Sequence, residues 1–168
     1  MAGPRPRLLF ITSEWPVLKP KQPQPNTVKQ RAEALQAAGV SVEVFTFSAG
    51  TAYGYLAAWT RLRPRLHPRR YDLVHAQDTS NVLLALPKRV PLVVTLGTRD
   101  LRRVIQHLFT RFLARRADAV IVGSDEMRDR IRLRTPVYVI PPGLDEGTFT
   151  ARLLDVYRSL VPERFSAS

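Results

Sequence analysis

The sequence predicts an α/β domain built on a doubly wound, parallel sheet. Short apolar runs alternate five times with longer segments of helical periodicity, which is typical of strands joined by crossover helices. The first run, Leu8–Thr12 ("LLFIT"), is short and continuous, as expected for a strand buried on both faces. With 168 residues and 45% apolar content, the chain is long enough for one such domain and too short for two of full size.

A helix at 26–39 and a strand at 40–47 are predicted next. Asn26 or Thr27 can cap the helix, and Gly39 can end it. The apolar face of this helix consists of Val28, Ala32 and Leu35.

The middle of the chain is predicted to contain a helix at about 55–66, a strand at 71–77, a short helix at 80–88 broken by Pro87, and a strand at 90–96. The apolar face of the first of these helices consists of Leu56, Trp59, Leu62 and Leu66.

A long, arginine-rich helix is predicted at 99–116, then a strand at 117–123, a short helix at 124–134, a sixth strand at 135–140 and a final helix at 151–161. The inward face of the long helix is predicted to contain Leu101, Val104, Ile105, Leu108 and Phe112.

The formal net charge is +12, and all but four of the 26 basic residues are arginine. Such a surface favours phosphate-rich partners: nucleic acid, anionic lipid or a phosphorylated small molecule. A GC-rich genome or a hot habitat explains the arginine excess equally well. Nucleic acid is the least favoured partner, because no recognition motif or aromatic stacking platform is present. The basic helix at 100–116 suits an anionic membrane surface, although its arginines are more simply explained as solvated.

Several classes of site and location are disfavoured. Cysteine is absent, which excludes disulfides and thiolate sites. No apolar run approaches the roughly 20 residues that cross a bilayer, so we expect a cytoplasmic protein, or one at the membrane periphery. G-x-G-x-x-G after the first strand, the P-loop and G-x-S-x-G are all missing, and His67 and His107 have no partner at metal-ligand spacing. We therefore predict no cofactor, no metal and no catalytic residue.

Ligands of a doubly wound sheet bind at the carboxyl ends of its strands, where the strand order reverses. The residues that follow the predicted strands are therefore the candidates for lining a cleft. They are Ser13, Glu14, Trp15, His75, Gln77, Asp78, Arg99, Asp100, Ser124, Gly143 and Asp145. Two of them have simpler alternatives, since His75 can be a packed, hydrogen-bonded side chain and Asp100 can cap the helix that follows it.

Five stretches, taken in order, resemble the N-terminal half of family-4 glycosyltransferases of the GT-B fold. They are "NTVKQRAEALQAAGVSVEVFTF", "YDLVHAQDTSNVLLAL", "PLVVTLGTRDL", "RRADAVIVGSDEMRDRI" and "VIPPGLDEGTF". The tail "ARLLDVYRSLV" is similar to the last helix of the same proteins, which crosses back to pack on the first domain. The resemblance implies a single Rossmann-like domain at 1–149 with a six-stranded parallel sheet, closed by a crossover helix and tail at 150–168.

The family's second domain, which binds the nucleotide-sugar, has no counterpart in this sequence. The linker "IPPGLD" is followed almost at once by the closing helix. The resemblance therefore implies an isolated or engineered acceptor-binding half of a retaining enzyme, inactive alone, whose parent takes a sugar or lipid-linked acceptor. His75, Asp100, Gly143 and Asp145 match family motifs. Gln77 and Pro142 do not, and no histidine follows Gly97 where many members have one.

The sequence is also compatible with three other interpretations. The chain could be a redesigned stand-alone scaffold without a ligand, or a basic module that binds membranes peripherally. It could also form a homodimer through the face that a second domain would otherwise cover.

Overall fold

The computed structural model describes residues 5–13, 27–48, 51–97 and 104–165, with backbone alone for Thr27 and residues 104–107. The predicted α/β class is confirmed: one six-stranded sheet, all parallel, has helices on both faces. The strands are β1 Arg7–Thr12, β2 Ser41–Thr46, β3 Leu73–Ala76, β4 Leu92–Thr95, β5 Ala119–Val122 and β6 Val137–Val139. The α-helices are α1 Thr27–Ala37, α2 Ala52–Leu62, α3 Val104–Ala114, α4 Asp125–Ile131, α5 Glu146–Leu160 and α6 Pro162–Phe165, and a 3₁₀ helix spans Ser80–Ala85.

The strand order is β2-β1-β3-β4-β5-β6. The chain leaves β1 in one direction to form β2, then crosses to the other side of β1 to form β3. The order therefore reverses between β1 and β3, where a doubly wound sheet opens a crevice at its carboxyl edge.

Alternating residues of each strand point into one of two apolar layers. Leu9 and Ile11 face a layer completed by α2, the 3₁₀ helix, α3 and α4. Leu8 and Phe10 face the opposite layer, which α1, α5 and α6 complete. The first layer is called the α2–α3 side below, and the second the α1–α5 side.

The helix α1 matches its prediction. Val28, Ala32 and Leu35 are buried, and Gly39 ends the helical segment with a φ of 89°, a backbone conformation that glycine adopts without strain. The capping prediction for Asn26 and Thr27 lies outside the described side chains.

The predicted start of α2 is wrong, and its predicted apolar face fails only at Leu56: Leu62 and Leu66 are buried, and Trp59 packs against the same core. This helix begins at Ala52, because the Thr51 hydroxyl accepts a hydrogen bond from the Gly54 amide at 3.1 Å and caps it. Leu56 is 58% exposed, while Ala58 and Leu62 are buried.

The inward face predicted for α3 is also wrong. Leu108 and Phe112 are 63% and 54% exposed, and the buried face is formed by Thr110, Leu113 and Ala114. Threonine and alanine are small enough for the helix axis to come close to the sheet. Leu101 and the side chains of Val104 and Ile105 lie outside the described residues.

The helix α5 closes the α1–α5 side of the sheet. It begins at Glu146, five residues before the predicted start, and it contacts α1. Its buried residues include Leu153, Val156 and Tyr157. The predicted division into 1–149 and 150–168 stays a prediction.

Two polar contacts attach the C-terminal segment to the sheet. The Tyr157 hydroxyl lies 2.6 Å from His75 Nδ1, and both side chains are buried. Asp72 contacts Arg7 of β1 at 2.9 Å and Arg164 of α6 at 3.3 Å. Burial acts to raise the pKa of Asp72, but the hydrogen bonds and charge of Arg7, together with the charge of Arg164, hold it below its ordinary value.

We expect Tyr157→Phe to lower the free energy of unfolding by about 1–3 kcal/mol, because it leaves a buried His75 nitrogen without its partner. Tyr138→Phe is the matched control, since the Tyr138 hydroxyl bonds Ser159 Oγ at an exposed position. It should cost no more than about 0.5 kcal/mol. Urea unfolding of the two variants measures the difference, and equal losses would contradict a stabilising buried bond.

Burial, with a smaller contribution from the Arg31 charge, lowers the pKa of His75 to about 3. The unfolded chain binds this proton near pH 6.5, so the folded state loses stability as the pH falls from about 6.5 towards 3, by at most about 1.4 kcal/mol per pH unit. Stability should be independent of His75 above that window. NMR of the imidazole carbon-bound protons should show no titration of His75 between pH 7 and 5. A midpoint near 6.5 would contradict this prediction.

Candidate functional site

The candidate site lies at the carboxyl edge of β1 and β3. The Gln77 amide donates to the Ile11 carbonyl at 3.0 Å and extends the pairing of the two strands. Asn81, which is fully buried, donates from Nδ2 to the same carbonyl at 3.2 Å and to Asp78 Oδ2 at 3.0 Å. These bonds hold the residues that follow β3 next to the end of β1.

A half-buried guanidinium from α1 lies over this edge. Arg31 donates from a terminal nitrogen to Gln77 Oε1 at 3.4 Å, and its guanidinium carbon lies 4.4 Å from the ring centroid of Phe149. Burial lowers the pKa of Arg31, but an arginine stays charged at any physiological pH. No carboxylate oxygen of the described residues lies within 4 Å of it, so its charge is available to an anion.

A groove of about 310 Å³ opens beside Arg31, between α1 and the start of α5. Its lining residues come from α1, from the loop after β6 and from α5: Gln30, Arg31, Pro142, Leu144, Glu146, Phe149 and Thr150. A depression of about 590 Å³ lies farther along the same helix pair. Its lining includes Ala34, Ala37 and Ala38 near the C-terminal end of α1, away from the carboxyl ends of the strands. The groove beside Arg31 is therefore the better candidate.

Three polar atoms that follow β3 have no hydrogen-bond partner within the described parts of the chain. They are Gln77 Nε2, Thr79 Oγ1 and Asn81 Oδ1. Buried polar atoms of native proteins are nearly always paired. They lie at the strand-order reversal, but they are buried and do not line the groove beside Arg31.

His75 does not line this site, which corrects its prediction as a cleft residue. Its side chain is 1% exposed. Nδ1 contacts the Tyr157 hydroxyl, and Nε2 contacts Thr95 Oγ1 at 2.8 Å. Both ring nitrogens are occupied, so the histidine is a core residue.

Three other predicted site residues have capping contacts. Asp78 accepts from the Asn81 amide at 3.1 Å at the start of the 3₁₀ helix. Ser124 Oγ accepts from the Met127 amide at 3.3 Å and caps α4. Asp145 accepts from the Thr148 amide at 2.9 Å and caps α5, and hydrogen bonds from the Thr148 side chain and amide lower the pKa of its carboxyl.

The remaining predicted residues are placed as follows. Ser13 is half-buried directly after β1, and Gln77 contacts Arg31. Gly143 is exposed between two residues that line the groove. Glu14, Trp15, Arg99 and Asp100 lie outside the described residues.

Arg31 is the main site residue that the sequence analysis missed. Its signal was present, because it lies three residues after Val28 and four before Leu35, on the apolar face of α1. A charged residue on an apolar helix face is unusual and marks either an ion pair or a site.

The chain passes directly from the loop after β6 into α5. Pro142 lines the groove, Asp145 caps α5, and the helix starts at Glu146. The stretch 104–165 is described without a break, and it contains no second domain between β6 and α5.

Two features are absent from the described parts of the chain. No three histidine, aspartate or glutamate side chains lie close enough to hold a metal ion. None of the helices there is both long and apolar enough to cross a bilayer.

Comparison with solved structures shows the same fold. One sucrose-phosphate synthase structure from Thermosynechococcus elongatus, designated 27_220_406_426, has a TM-score of 0.70 at 17% identity, over 92% of this chain and 98% of that chain. A second sucrose-phosphate synthase structure from this organism has a TM-score of 0.60 at 16% identity, over 84% of this chain and 49% of that one. No curated protein sequence gives a significant match.

The sequence itself matches the family model described as Glycosyltransferase Family 4, over residues 24–147. This match covers most of the chain, and it includes α1, the strands β2 to β6 and the loop that enters α5. The chain therefore belongs to Glycosyltransferase Family 4, as a fragment similar to the N-terminal domain of its GT-B enzymes.

Proposed function

We propose that this chain is the acceptor-binding half of a retaining, nucleotide-sugar-dependent glycosyltransferase, and that it has no transferase activity alone. One observation carries the proposal: the loop after β6 leads straight into α5, which packs on α1 and the sheet. A second domain that could bind a nucleotide-sugar is therefore missing where the family would place it.

Half a cleft lacks the main sources of catalysis for sugar transfer. The charge that develops on the leaving diphosphate has to be stabilised by preorganised donors. Donor and acceptor also have to be held in a reactive orientation by closure of the cleft. This domain supplies one wall, so it can position an acceptor but cannot activate a donor.

The groove beside Arg31 suits an acceptor that carries hydroxyls and an anionic group. A guanidinium binds phosphate or carboxylate through two parallel hydrogen bonds. Gln30 and Thr150, which line the groove, provide polar side chains for sugar hydroxyls. The name of the similar structures, sucrose-phosphate synthase, supports a phosphorylated sugar as the acceptor class.

We further propose that the direct join of loop and helix arose by deliberate deletion of the second domain. The structure designated 27_220_406_426 supports this, because this chain covers 98% of that chain but only 49% of the second sucrose-phosphate synthase chain. The alternative of a scaffold without any ligand predicts the same fold, but it predicts no acceptor binding.

Transfer activity is tested by incubating the purified chain with UDP-, GDP- and ADP-sugars, with and without simple sugar phosphates, and measuring nucleoside diphosphate release. We expect no release above buffer from a sample that unfolds cooperatively. Turnover would show that a donor site exists and would overturn the half-enzyme proposal.

Acceptor binding is tested by titrating sugar phosphates and their neutral sugars while following backbone amide shifts by NMR. We expect the phosphorylated sugars to shift the amides of Gln77 and Leu144, and Arg31→Gln to weaken binding about tenfold or more. Arg152→Gln removes the same charge from an exposed position of α5 and should leave binding unchanged. Equal weakening by both variants would indicate nonspecific attraction, and no binding at all would favour the ligand-free scaffold.

A further inference from the structure

Six large apolar side chains are exposed on the α2–α3 side of the sheet. Those of α3 are Leu108, Phe109 and Phe112, and the others are Tyr53, Leu56 and Leu83. Every large exposed apolar side chain within the described residues belongs to this group. A protein surface seldom concentrates such residues on one side unless they meet an apolar partner.

The three elements that carry these side chains are neighbours. The 3₁₀ helix Ser80–Ala85 contacts both α2 and α3, and all three elements pack on the same apolar layer. On the opposite side, which α5 and α6 cover, the described residues include no large exposed apolar side chain. We call the outer surface of α2, the 3₁₀ helix and α3 the apolar–basic surface.

The same surface is basic and lacks acidic residues. No aspartate or glutamate occurs between Glu43 and Asp72, or between Asp100 and Asp118. Arg61, Arg115 and Arg116 are exposed, and none of them forms an ion pair with any other described residue. The Arg116 guanidinium carbon lies 5.1 Å from the Phe112 ring centroid, so cationic and aromatic groups are adjacent.

We propose that the apolar–basic surface is a peripheral docking site for a membrane that contains anionic lipid. This site is separate from the acceptor groove, and the inference does not depend on the proposed function. Phe109 and Phe112 insert at the boundary of headgroups and acyl chains, while Arg115 and Arg116 contact lipid phosphates.

The combination of side chains selects this partner over others. Anionic lipid supplies both an apolar layer for leucine and phenylalanine and a negative surface potential for arginine. Nucleic acid offers phosphates but no comparable environment for Leu56 or Leu108. Pairing of two copies through this surface with two-fold symmetry would place arginines against arginines, which like-charge repulsion disfavours.

The test is cosedimentation with vesicles of equal parts phosphatidylcholine and phosphatidylglycerol, compared with pure phosphatidylcholine, at low and high salt. We expect binding to the anionic vesicles alone, and its loss at high salt. Phe109→Ser with Phe112→Ser should weaken the partition coefficient roughly tenfold. Arg115→Gln with Arg116→Gln should weaken it roughly thirtyfold.

The matched control is Lys29→Gln with Arg152→Gln. It removes the same charge from α1 and α5, on the opposite side of the sheet. Circular dichroism melting shows that each variant is folded. We expect this control to bind vesicles as the unaltered chain does, because binding depends on the charges of the apolar–basic surface and not on the net charge of the protein.

Four results would overturn the proposal. Absence of binding to anionic vesicles is the simplest. Equal weakening of vesicle binding by the control variant would show that net charge alone causes the attraction. Unchanged vesicle binding by the phenylalanine variant would show that the apolar–basic surface does not contact the membrane. A concentration-dependent mass in sedimentation, abolished by the phenylalanine variant and without vesicle binding, would assign the surface to self-association.

Discussion

The packing of α5 on the α1–α5 side of the sheet is the constraint on which the rest of the structure depends. Without it, one face of the central strands would keep α1 as its main cover and expose Leu73, Val93 and Ile121. Leu153, Val156 and Tyr157 fill that space, and each fully buried apolar side chain contributes about 1.5–3 kcal/mol. Apolar packing alone would tolerate a helix displaced along its axis. The buried bond between Tyr157 and His75 would not, because a displacement leaves both groups unpaired.

The same helix also shapes the candidate site. Its first turn provides Phe149 and Thr150, which form one wall of the groove, and α1 provides Arg31 on the other. Phe149 lies against the Arg31 guanidinium, so the position of the charge depends on where α5 starts. Asp145 sets that start by capping the helix. The stability of the domain and the geometry of its site are therefore produced by one packing arrangement.

The strands could be predicted from the sequence with little error, because buried parallel strands are short continuous apolar runs. Leu8–Thr12 was predicted for the first, which spans Arg7–Thr12. The face of α3 could not be predicted, since Leu108, Phe109, Phe112 and Leu113 form one broad apolar arc on the helix, of which only the Leu113 edge is buried. Periodicity then permits more than one inward face, and the small residues Thr110 and Ala114 decide the outcome through close packing.

The site was predicted only in part, for a different physical reason. The strand order reverses at β1 and β3, and Gln77 was expected there because ligand-contacting residues follow strands. Arg31 belongs to a helix, and residues of helices are not singled out by a rule that places ligand contacts after strands. His75 is the opposite case. A histidine near a strand end was expected to line a cleft, but this one is buried, and burial keeps it neutral by lowering its pKa.

The position of Tyr157 in the chain has a consequence for biosynthesis. Its partner His75 and the strand residue Phe10, which packs edge-on against His75, emerge from the ribosome long before it does. Until α5 has left the exit tunnel, the nascent sheet exposes an apolar face and an unpaired imidazole. The domain therefore reaches its native state only after α5 has been synthesised, and chaperones that shield apolar surface can act on that face until then.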